Sequence, residues 1–280
     1  MTAVEPQRAR DFAERVVGRL RDAGYQALFA GGCVRDALLG HAPKDYDVAT
    51  DARPNQVRHI FGRKKTLSIG AAFGVITVLG AKEEGQIEVA TFRSDAQYSD
   101  GRHPDHVTFS SAEEDAKRRD FTINGLFFDP LDNQVIDYVG GRQDLRTGVV
   151  RAIGDPHARI AEDKLRMLRA VRFTATLGFE LEPSTMAAIQ RHRKEIEIVS
   201  AERIAAEMRR MCVHRRRRDA MELLHASGLL EVVIPEVAVI AMERPAAWKS
   251  TLEVLGQFSD ATFSLALASL FLFVAAHDSR

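Results

Sequence analysis

The fold is decided by two neighbouring stretches, Phe29-Ala-Gly-Gly-Cys-Val-Arg-Asp-Ala-Leu-Leu-Gly40 and Lys44-Asp-Tyr-Asp-Val-Ala-Thr50. The first places a Gly-Gly turn between a predicted strand and a predicted helix, where backbone N–H groups can approach an anion closely. Arg35, in that helix, can donate a forked pair of hydrogen bonds to phosphate oxygens. Because glycine pairs are most often ordinary turns, Gly31 and Gly32 alone indicate a phosphate site only weakly.

The second stretch carries two carboxylates, Asp45 and Asp47. Residues i and i+2 of a strand point to the same side, so the two carboxylates converge. Like charges this close are unfavourable unless a cation lies between them, and hard divalent ions such as Mg²⁺ prefer oxygen ligands. A solvated Asp-x-Asp at a strand end is the simpler alternative, and the turn just upstream weakens it.

A third acidic residue, Glu88, lies in the predicted strand Ile87-Glu-Val-Ala-Thr-Phe-Arg93. It either faces the same cleft as Asp45 and Asp47, as a third catalytic carboxylate, or points outward to solvent. The pattern does not choose between these two positions.

The composition is that of a folded globular protein. Of 280 residues, 45% are apolar and 28% are charged, and 39 basic residues balance 39 acidic ones. A globally basic nucleic-acid coat is therefore excluded, and any nucleic-acid binding requires local clustering. Two cysteines, Cys33 and Cys212, cannot form a disulfide scaffold or a four-thiolate zinc site, which favours a reducing, cytoplasmic location.

No targeting or membrane-spanning pattern is found. Residues 1–10 are polar and lack the apolar core of a signal peptide. The longest apolar run, Phe263–Ala276, is shorter than the roughly 20 residues that span a bilayer. We therefore expect a buried helix there and no membrane contact.

The chain changes character near residue 140. Before it, strand and helix patterns alternate. The predicted strands are Gln26–Ala30, Tyr46–Ala49, Val75–Leu79, Ile87–Phe92 and Val135–Val139, and the predicted helices are Arg8–Ala23, Val34–Leu39 and Pro54–Phe61. After it the periodicity is helical, over Ala158–Leu177, Ser184–Ile198, Ala201–Cys212, Arg217–Ser227, Ala247–Phe258 and Thr262–Ala275.

These stretches resemble, in order, the motifs of one enzyme family. Gly31-Gly-x-Val-Arg-Asp36 with Asp45-x-Asp47 is similar to the nucleotidyltransferase signature of the polymerase-β superfamily. More narrowly, it is similar to that of the class II tRNA nucleotidyltransferases (CCA-adding enzymes) and the bacterial poly(A) polymerases. Later stretches resemble further motifs of that family: Lys117-Arg-Arg-Asp-Phe-Thr-Ile-Asn124, Asp137-Tyr-Val-Gly-Gly141 through Val149-Val-Arg-Ala-Ile-Gly154, Glu162-Asp-Lys-Leu-Arg-Met-Leu-Arg-Ala-Val-Arg-Phe173 and Ala201-Glu-Arg-Ile204.

The resemblance implies an α+β fold with three parts. A mixed-sheet, polymerase-β-like catalytic head would occupy residues 1–140, a helical neck 141–213 and an incomplete helical body 214–280. In the head, Asp45 and Asp47 would bind catalytic Mg²⁺, and Gly31, Gly32 and Arg35 would hold the triphosphate. Arg119 would contact the incoming nucleotide, and Asp120 would support the ribose or the metal site.

The neck would read the nucleobase through a helix over Glu162–Phe173. At 3.6 residues per turn, Glu162, Arg166 and Arg169 fall on one side, flanked by Asp163 and Arg172. By resemblance, Asp163 and Arg166 read ATP or CTP, Glu162 orients Arg166, and Arg169 and Arg172 complete the nucleotide site. Without the other motifs, a salt-bridged amphipathic helix would be the better interpretation.

Two further stretches are candidate RNA contacts. The predicted loop Arg93–Val107 matches a flexible loop that the family associates with A addition, and it keeps Tyr98, Asp100, Gly101, Arg102 and Pro104, of which Arg102 is a candidate RNA contact. Residues 202–218 hold seven arginines against two glutamates. Their phosphate-binding candidates are Arg209, Arg210, Arg215, Arg216, Arg217 and Arg218. A solvated arginine face is an equal alternative.

The resemblance implies Mg²⁺-dependent addition of CMP and AMP, from CTP and ATP, to the 3′ end of tRNA with release of pyrophosphate. The alternatives within the class are an A-adding enzyme and a poly(A) polymerase. A catalytically silent RNA-binding module is the alternative outside it, and the base-reading motif disfavours a small-molecule substrate. Only 67 residues follow the neck, so we expect a short form in which nucleotide binding survives better than tRNA affinity.

Overall fold

The computed structural model describes residues 6–95 and 107–277. Within them the chain divides into two compact units, residues 6–147 and 148–277. We call the first the head and the second the helical unit. Each has its own buried core.

The head mixes helices and strands. Its elements are α1 (Pro6–Asp22), β1 (Ala27–Ala30), α2 (Gly32–Leu38), β2 (Asp47–Thr50), α3 (Pro54–Phe61), β3 (Thr66–Leu67), β4 (Val75–Leu79), β5 (Gln86–Thr91), β6 (Arg93–Asp95), β7 (Val107–Phe109), α4 (Ala112–Lys117), β8 (Leu126–Asp129), β9 (Gln134–Asp137) and α5 (Gly141–Thr147). Three 3₁₀ turns cover Arg63–Lys65, Ala71–Phe73 and Thr122–Asn124.

Seven of these strands form one sheet in the order β3-β4-β5-β2-β1-β8-β9. The β2–β5 pair is parallel and the other pairs are antiparallel. The predicted mixed sheet and α+β fold are therefore confirmed. β8 was missed, although its residues Leu126–Asp129 are mostly apolar, because the run is only four residues long and lies inside a motif interpreted for its chemistry.

The core of the head lies on both faces of β1, whose four residues are all buried. Leu28 packs in one cluster with Phe92, Phe127 and Ala116. The neighbouring Phe29 points to the other face, since side chains alternate along a strand. This burial on two faces explains why β1 reads as a continuous apolar run before the Gly-Gly turn.

The helical unit begins with a short parallel ribbon and continues with helices. Its elements are β10 (Val149–Val150), α6 (Pro156–Glu162), α7 (Arg166–Leu177), β11 (Glu180–Leu181), α8 (Pro183–His192), α9 (Ala201–Cys212), α10 (Arg217–Ala226), α11 (Leu230–Val233), α12 (Pro235–Glu243), α13 (Pro245–Gln257), α14 (Phe263–Leu270) and α15 (Leu272–His277), with a 3₁₀ segment over Arg193–Ile198. α7 packs against α9 and α10 and buries Met167, Leu168 and Val171.

The head extends to Thr147, seven residues past the boundary expected at 140. The extra residues form α5, which packs on the 3₁₀ turn Thr122–Asn124. Thr122 donates its hydroxyl to Asp144 at 2.7 Å. A Cβ on Gly141 would lie 2.2 Å from the Thr122 carbonyl oxygen, so this close approach requires glycine. The division of the helical unit into a neck and a body stays a prediction.

The apolar run near the end of the chain differs from expectation. Instead of one helix over Thr262–Ala275, the structure has α14 and α15, with a break at Phe271. Leu265 and Leu272 are about half exposed, at 43% and 53%, so the run is only partly buried. Within residues 6–95 and 107–277, no helix has the length and apolarity needed to cross a membrane.

Candidate active site

Two acidic side chains lie side by side on the sheet of the head. β2 and β5 pair in parallel with Asp47 opposite Glu88. Paired strands lie about 4.8 Å apart, so the carboxylates of Asp47 and Glu88 lie next to each other on the same face of the sheet. Asp45 comes two residues before Asp47, and all three residues are exposed. The structure thus places Glu88 beside Asp47 and not on the opposite face.

The pKa of Asp47 reflects this crowding. Desolvation by the surrounding protein, then repulsion from Glu88 and more weakly from Asp45, raises the pKa of Asp47 to about 6, while Arg119 opposes the rise. Asp47 is packed on one side and open to solvent on the other, so water screens part of this effect. A cation beside the carboxylates would relieve the repulsion.

The Gly31-Gly32 turn lies against Arg119. Gly31 has a φ of +72°, and a Cβ on it would lie 2.8 Å from Arg119 Nη1. A side chain here would therefore strain the backbone and displace the guanidinium. The N–H of Gly31 donates to the carbonyl of Leu126 at 3.1 Å. That bond leaves the N–H of Gly32, the first residue of α2, to offer to a phosphate.

Arg35 and Asp120 brace this turn from within. Arg35 donates to Asn124 Oδ1 at 2.7 Å and to Asp36 Oδ1 at 2.8 Å, and its side chain is 11% exposed. Asp120 is buried and accepts from the Phe121 N–H and from Asn124 Nδ2. In the structure both side chains bond to Asn124 and hold the turn, and their expected roles at the triphosphate and at the ribose or metal site stay predictions.

Arg119 is anchored by Asp115, which the sequence analysis missed. Asp115 pairs with Arg119 at 3.0 Å and with Arg118 at 2.7 Å. Burial opposes the charge of Asp115, but Arg119 and Arg118 outweigh it and lower the pKa of this carboxyl. The signal was present, since Asp115 on α4 and the two arginines just after this helix have i,i+3 and i,i+4 spacing. Asp115 thus fixes the guanidinium beside the glycine turn.

In the helical unit, the predicted base-reading helix is broken at its acidic residues. α6 ends at Glu162 and α7 begins at Arg166, and Asp163 between them has extended backbone angles. The Asp163 carboxylate accepts from the Leu165 N–H at 3.1 Å. A continuous helix over Ala158–Leu177 was therefore wrong, because an Asp that bonds to the backbone two residues on favours a turn over a helix.

Glu162, Asp163 and Arg166 meet at this break. Glu162 pairs with Arg166 at 2.6 Å, and Arg166 also donates to the carbonyl of Arg159 at 2.9 Å. Asp163 is held by Arg203 of α9 at 2.8 Å. A carboxylate acceptor and a guanidinium donor are thus fixed close together, which suits recognition of the polar edge of a base.

Arg172 differs from the expected nucleotide contact. Its Nε donates to the buried carboxylate of Glu207, and its guanidinium lies 3.9 Å from the centre of the Phe173 ring. Burial lowers the pKa of Arg172 even though Glu207 opposes the change. Arg172 therefore joins α7 to α9 within the core, while Arg169 lies over the same ring at 5.3 Å.

Most of the arginines expected to bind RNA have partners within the protein. Arg217 is 1% exposed and donates to the carbonyls of Cys212, Leu255 and Phe258, so its assignment to RNA was wrong. Arg210 pairs with Glu207, Arg216 with Asp219 and Arg218 with Glu222, and Arg209 lies over the ring of Phe263. Arg215 is exposed.

The predicted loop contact with RNA falls outside the described residues. Arg102 lies there, together with Tyr98, Asp100, Gly101 and Pro104. The flanking strands β6 and β7 pair antiparallel with each other.

The head carboxylates have the chemistry of a divalent-cation site. Mg²⁺ is commonly held by one or two carboxylates together with substrate phosphates. Among the residues that the structure describes, no group of three His, Cys, Asp or Glu side chains is arranged to hold a metal ion. Asp45 and Asp47, whose charges repel each other, fit a cation that takes its remaining oxygens from a bound substrate.

Comparison with known proteins places both units in one family. Residues 27–151 match the poly(A) polymerase head domain, and residues 178–240 match the probable RNA- and SrmB-binding site of polymerase A. The CCA-adding enzyme of Lactobacillus helveticus is 43% identical over 219 residues, which are 78% of this chain and 54% of that protein. The CCA-adding enzyme of Bacillus subtilis is 44% identical over 213 residues, 76% of this chain and 52% of that protein.

A solved structure agrees with these matches. The Bacillus stearothermophilus CCA-adding enzyme in complex with CTP is 34% identical, with a TM-score of 0.75 over 90% of this chain and 58% of that one. The chain spans about half the length of the curated relatives it matches. On its sequence motifs, its mixed-sheet head and these matches, the chain belongs to the family of the class II tRNA nucleotidyltransferases and bacterial poly(A) polymerases.

Proposed function

We propose that the chain is the nucleotidyl-transferring part of a CCA-adding enzyme, which adds CMP and AMP from CTP and ATP to the 3′ end of tRNA in the cytoplasm. The observation that carries the proposal is the β2–β5 register, which sets Asp47 beside Glu88 near the glycine turn and Arg119. Relatives at 43–44% identity are CCA-adding enzymes, and one similar structure holds CTP.

The reaction is an in-line displacement at phosphorus. The 3′-hydroxyl of the RNA attacks the α-phosphate of the nucleotide, the new phosphodiester forms, and pyrophosphate leaves. Mg²⁺ bound by Asp45 and Asp47 would supply neutralising charge at the phosphates. Glu88 adds its charge on the same face of the sheet, and Arg119, held by Asp115, presents a cation to the triphosphate beside Gly32.

Nucleotide choice falls to the helical unit. Asp163 and Arg166 offer acceptors and donors to the polar edge of cytosine or adenine, Glu162 orients Arg166, and Arg203 orients Asp163. No covalent nucleophile is needed. Burial raises the pKa of Cys33 to about 11, which fits a packing residue beside the turn.

The experiment supplies labelled tRNAs that end before C74, before A76 or complete, each with one nucleotide at a time. We expect CMP incorporation on the first and AMP incorporation on the second. AMP addition to the second tRNA alone would indicate an A-adding enzyme, and long A tails a poly(A) polymerase. Absence of incorporation on every RNA, from protein that is folded by circular dichroism, would contradict the enzymatic proposal.

A further inference from the structure

One segment of the head is strongly basic within a chain of zero net charge. Residues 52–82 contain six Lys or Arg and no Asp or Glu, whereas the whole chain has 39 of each sign. Five basic side chains of this segment follow one another along α3 and the 3₁₀ turn after it. We call them the α3 basic surface: Arg58, His59, Arg63, Lys64 and Lys65.

Local geometry spreads these side chains over the surface of the head. α3 ends at Phe61, and Gly62, with a φ of +84°, turns the chain. The next three residues form the 3₁₀ turn Arg63–Lys65, where successive side chains point about 120° apart. Arg63, Lys64 and Lys65 are all exposed.

Within the described part of the chain, the cations of this surface lack carboxylate partners. Among the described residues, no Asp or Glu forms an ion pair with Arg58, Arg63, Lys64 or Lys65. The arginines of α9 and α10 contrast with them, since Arg210, Arg216 and Arg218 each pair with a carboxylate. Carboxylates therefore neutralise the α3 basic surface less than they neutralise Arg210, Arg216 and Arg218.

A polar cavity of about 430 Å³ opens within the surface, lined by Asn55, Arg58, His59, Gly62 and Arg63. Every group that lines it is neutral or basic. Arg58 Nε is buried and has no hydrogen-bond partner among the described residues. A buried donor without a partner, beside the guanidinium of Arg63, is suited to an anionic oxygen acceptor.

We propose that the α3 basic surface binds backbone phosphates of the RNA substrate, away from its 3′ end. The inference rests on the proposed function for the identity of the polyanion. β3 begins directly after Lys65 and is the edge strand of the sheet, with β4 and β5 between it and β2. The surface therefore lies at the sheet edge, about 14 Å across three strand spacings from the carboxylates on β2. It is a second anchoring point that carries no base information, because phosphate contacts position RNA without reading its sequence.

The test compares the full chain with the triple variant Arg63→Gln/Lys64→Gln/Lys65→Gln. Affinity for fluorescein-labelled tRNA is measured at several salt concentrations, and incorporation is measured on tRNA and on a short single-stranded RNA. We expect at least tenfold weaker tRNA binding at about 0.1 M salt, and a log–log salt slope lower by about two to three units. The KM for tRNA rises while kcat, and the KM for the short RNA, stay within twofold of the wild type.

Two controls accompany the triple variant. Arg63→Lys/Lys64→Arg/Lys65→Arg keeps the charges and should bind tRNA like the wild type. Arg8→Gln/Arg10→Gln removes two exposed cations that already pair with Glu83 and Glu14, and should leave the salt slope unchanged.

The possible results distinguish RNA phosphates from nucleotide and free phosphate as the ligand, and they test this proposal separately from the proposed function. If the triple variant keeps the wild-type tRNA affinity and salt slope, the proposal that this surface binds RNA is wrong. It is also wrong if only the KM for CTP or ATP rises, because the surface would then be a nucleotide subsite. Competition by inorganic phosphate at equal affinity in both proteins likewise counts against it. If the wild type incorporates no nucleotide but loses tRNA binding on substitution, the surface stands and the proposed reaction fails.

Discussion

At the scale of single residues, the surroundings of Asp47 disfavour its charged form and would be stabilised by a bound cation. Its charged form is disfavoured by desolvation, by Glu88 and by Asp45, which together raise its pKa to about 6. A bound divalent cation would reverse this balance, because the attraction to the ion exceeds the repulsion between carboxylates. Binding to the folded state alone also stabilises the protein by mass action.

We therefore expect Asp47→Asn to abolish nucleotide incorporation and to remove the rise in melting temperature that Mg²⁺ causes in the wild type. In metal-free buffer the variant should melt at the same temperature as the wild type or slightly higher, since it loses a repelled charge. Differential scanning fluorimetry with and without Mg²⁺ measures both. Asp22→Asn, at an exposed position on α1, is the matched control, and an Mg²⁺ shift retained by Asp47→Asn would contradict the metal site.

Residue types and spacing predicted which side chains lie near one another better than they predicted what each one contacts. Asp45, Asp47 and Gly31 lie where the motif suggests, because short-range geometry fixes them. Arg35 and Arg172 carry the right chemistry but turn inward, toward Asn124 and Glu207. Those partners are 89 and 35 residues away in sequence, so no local pattern could reveal them.

At the scale of elements, Arg217 joins two helix ends. Its guanidinium donates to the carbonyl of Cys212, the last residue of α9, and to those of Leu255 and Phe258 at the end of α13. These carbonyls lack helical partners and carry partial negative charge. Two helix termini thus hold a buried cation that has no carboxylate partner among the residues that the structure describes.

Arg217→Met should lower the free energy of unfolding by about 2–4 kcal/mol, because three buried acceptors lose their donor. Urea denaturation followed by circular dichroism measures the loss. Arg215→Met, at an exposed position, should change stability by less than about 0.5 kcal/mol. If Arg217→Met is as stable as the wild type, the cost of burying the charge equals what its hydrogen bonds contribute.

Glu182 caps the N-terminus of α8, and its ionisation should make the stability of the protein depend on pH. Partial burial opposes its charge, but hydrogen bonds from Ser184 and Thr185 outweigh it and lower the pKa of Glu182 to about 2. A carboxylate with a depressed folded-state pKa stabilises the protein above its unfolded pKa, about 4.3 for Glu, and loses this effect as the pH falls toward 2. Glu182→Ala should therefore cost about 1–2 kcal/mol at pH 7 and clearly less at pH 3. An equal loss at both pH values would show that the ionised cap is not what stabilises α8.

Helix and strand bounds were predicted correctly where local sequence signals set them, and incorrectly where contacts with distant residues set them. α3 and β4 have the bounds that the sequence predicted, since Pro54 and the β-branched run at Val75 are local signals. The break between α6 and α7 was missed because helical periodicity continues through it. What ends α6 is the hydrogen bonding of Asp163 to Leu165 and Arg203, and Arg203 lies 40 residues further along the chain.

At the scale of the whole molecule, the head and the helical unit should each fold without the other. The division falls between Thr147 and Gly148. On one side Asp144 and Gly141 are tied to Thr122, and on the other β10 pairs with β11. Each unit buries its own apolar core, so separation there cuts through neither core.

We expect residues 148–280, expressed alone, to unfold cooperatively in urea with a helical circular dichroism spectrum. Arg217→Met should lower the stability of this fragment by the same amount as in the full chain, because both helix ends that it joins belong to the helical unit and distant sites contribute additively. Residues 1–147 alone should keep the Mg²⁺-induced rise in melting temperature, which Asp47→Asn should again abolish. A fragment that binds a hydrophobic dye and melts without a cooperative transition would contradict the division, and an Arg217→Met effect seen only in the full chain would show that the stability of the helical unit depends on the head.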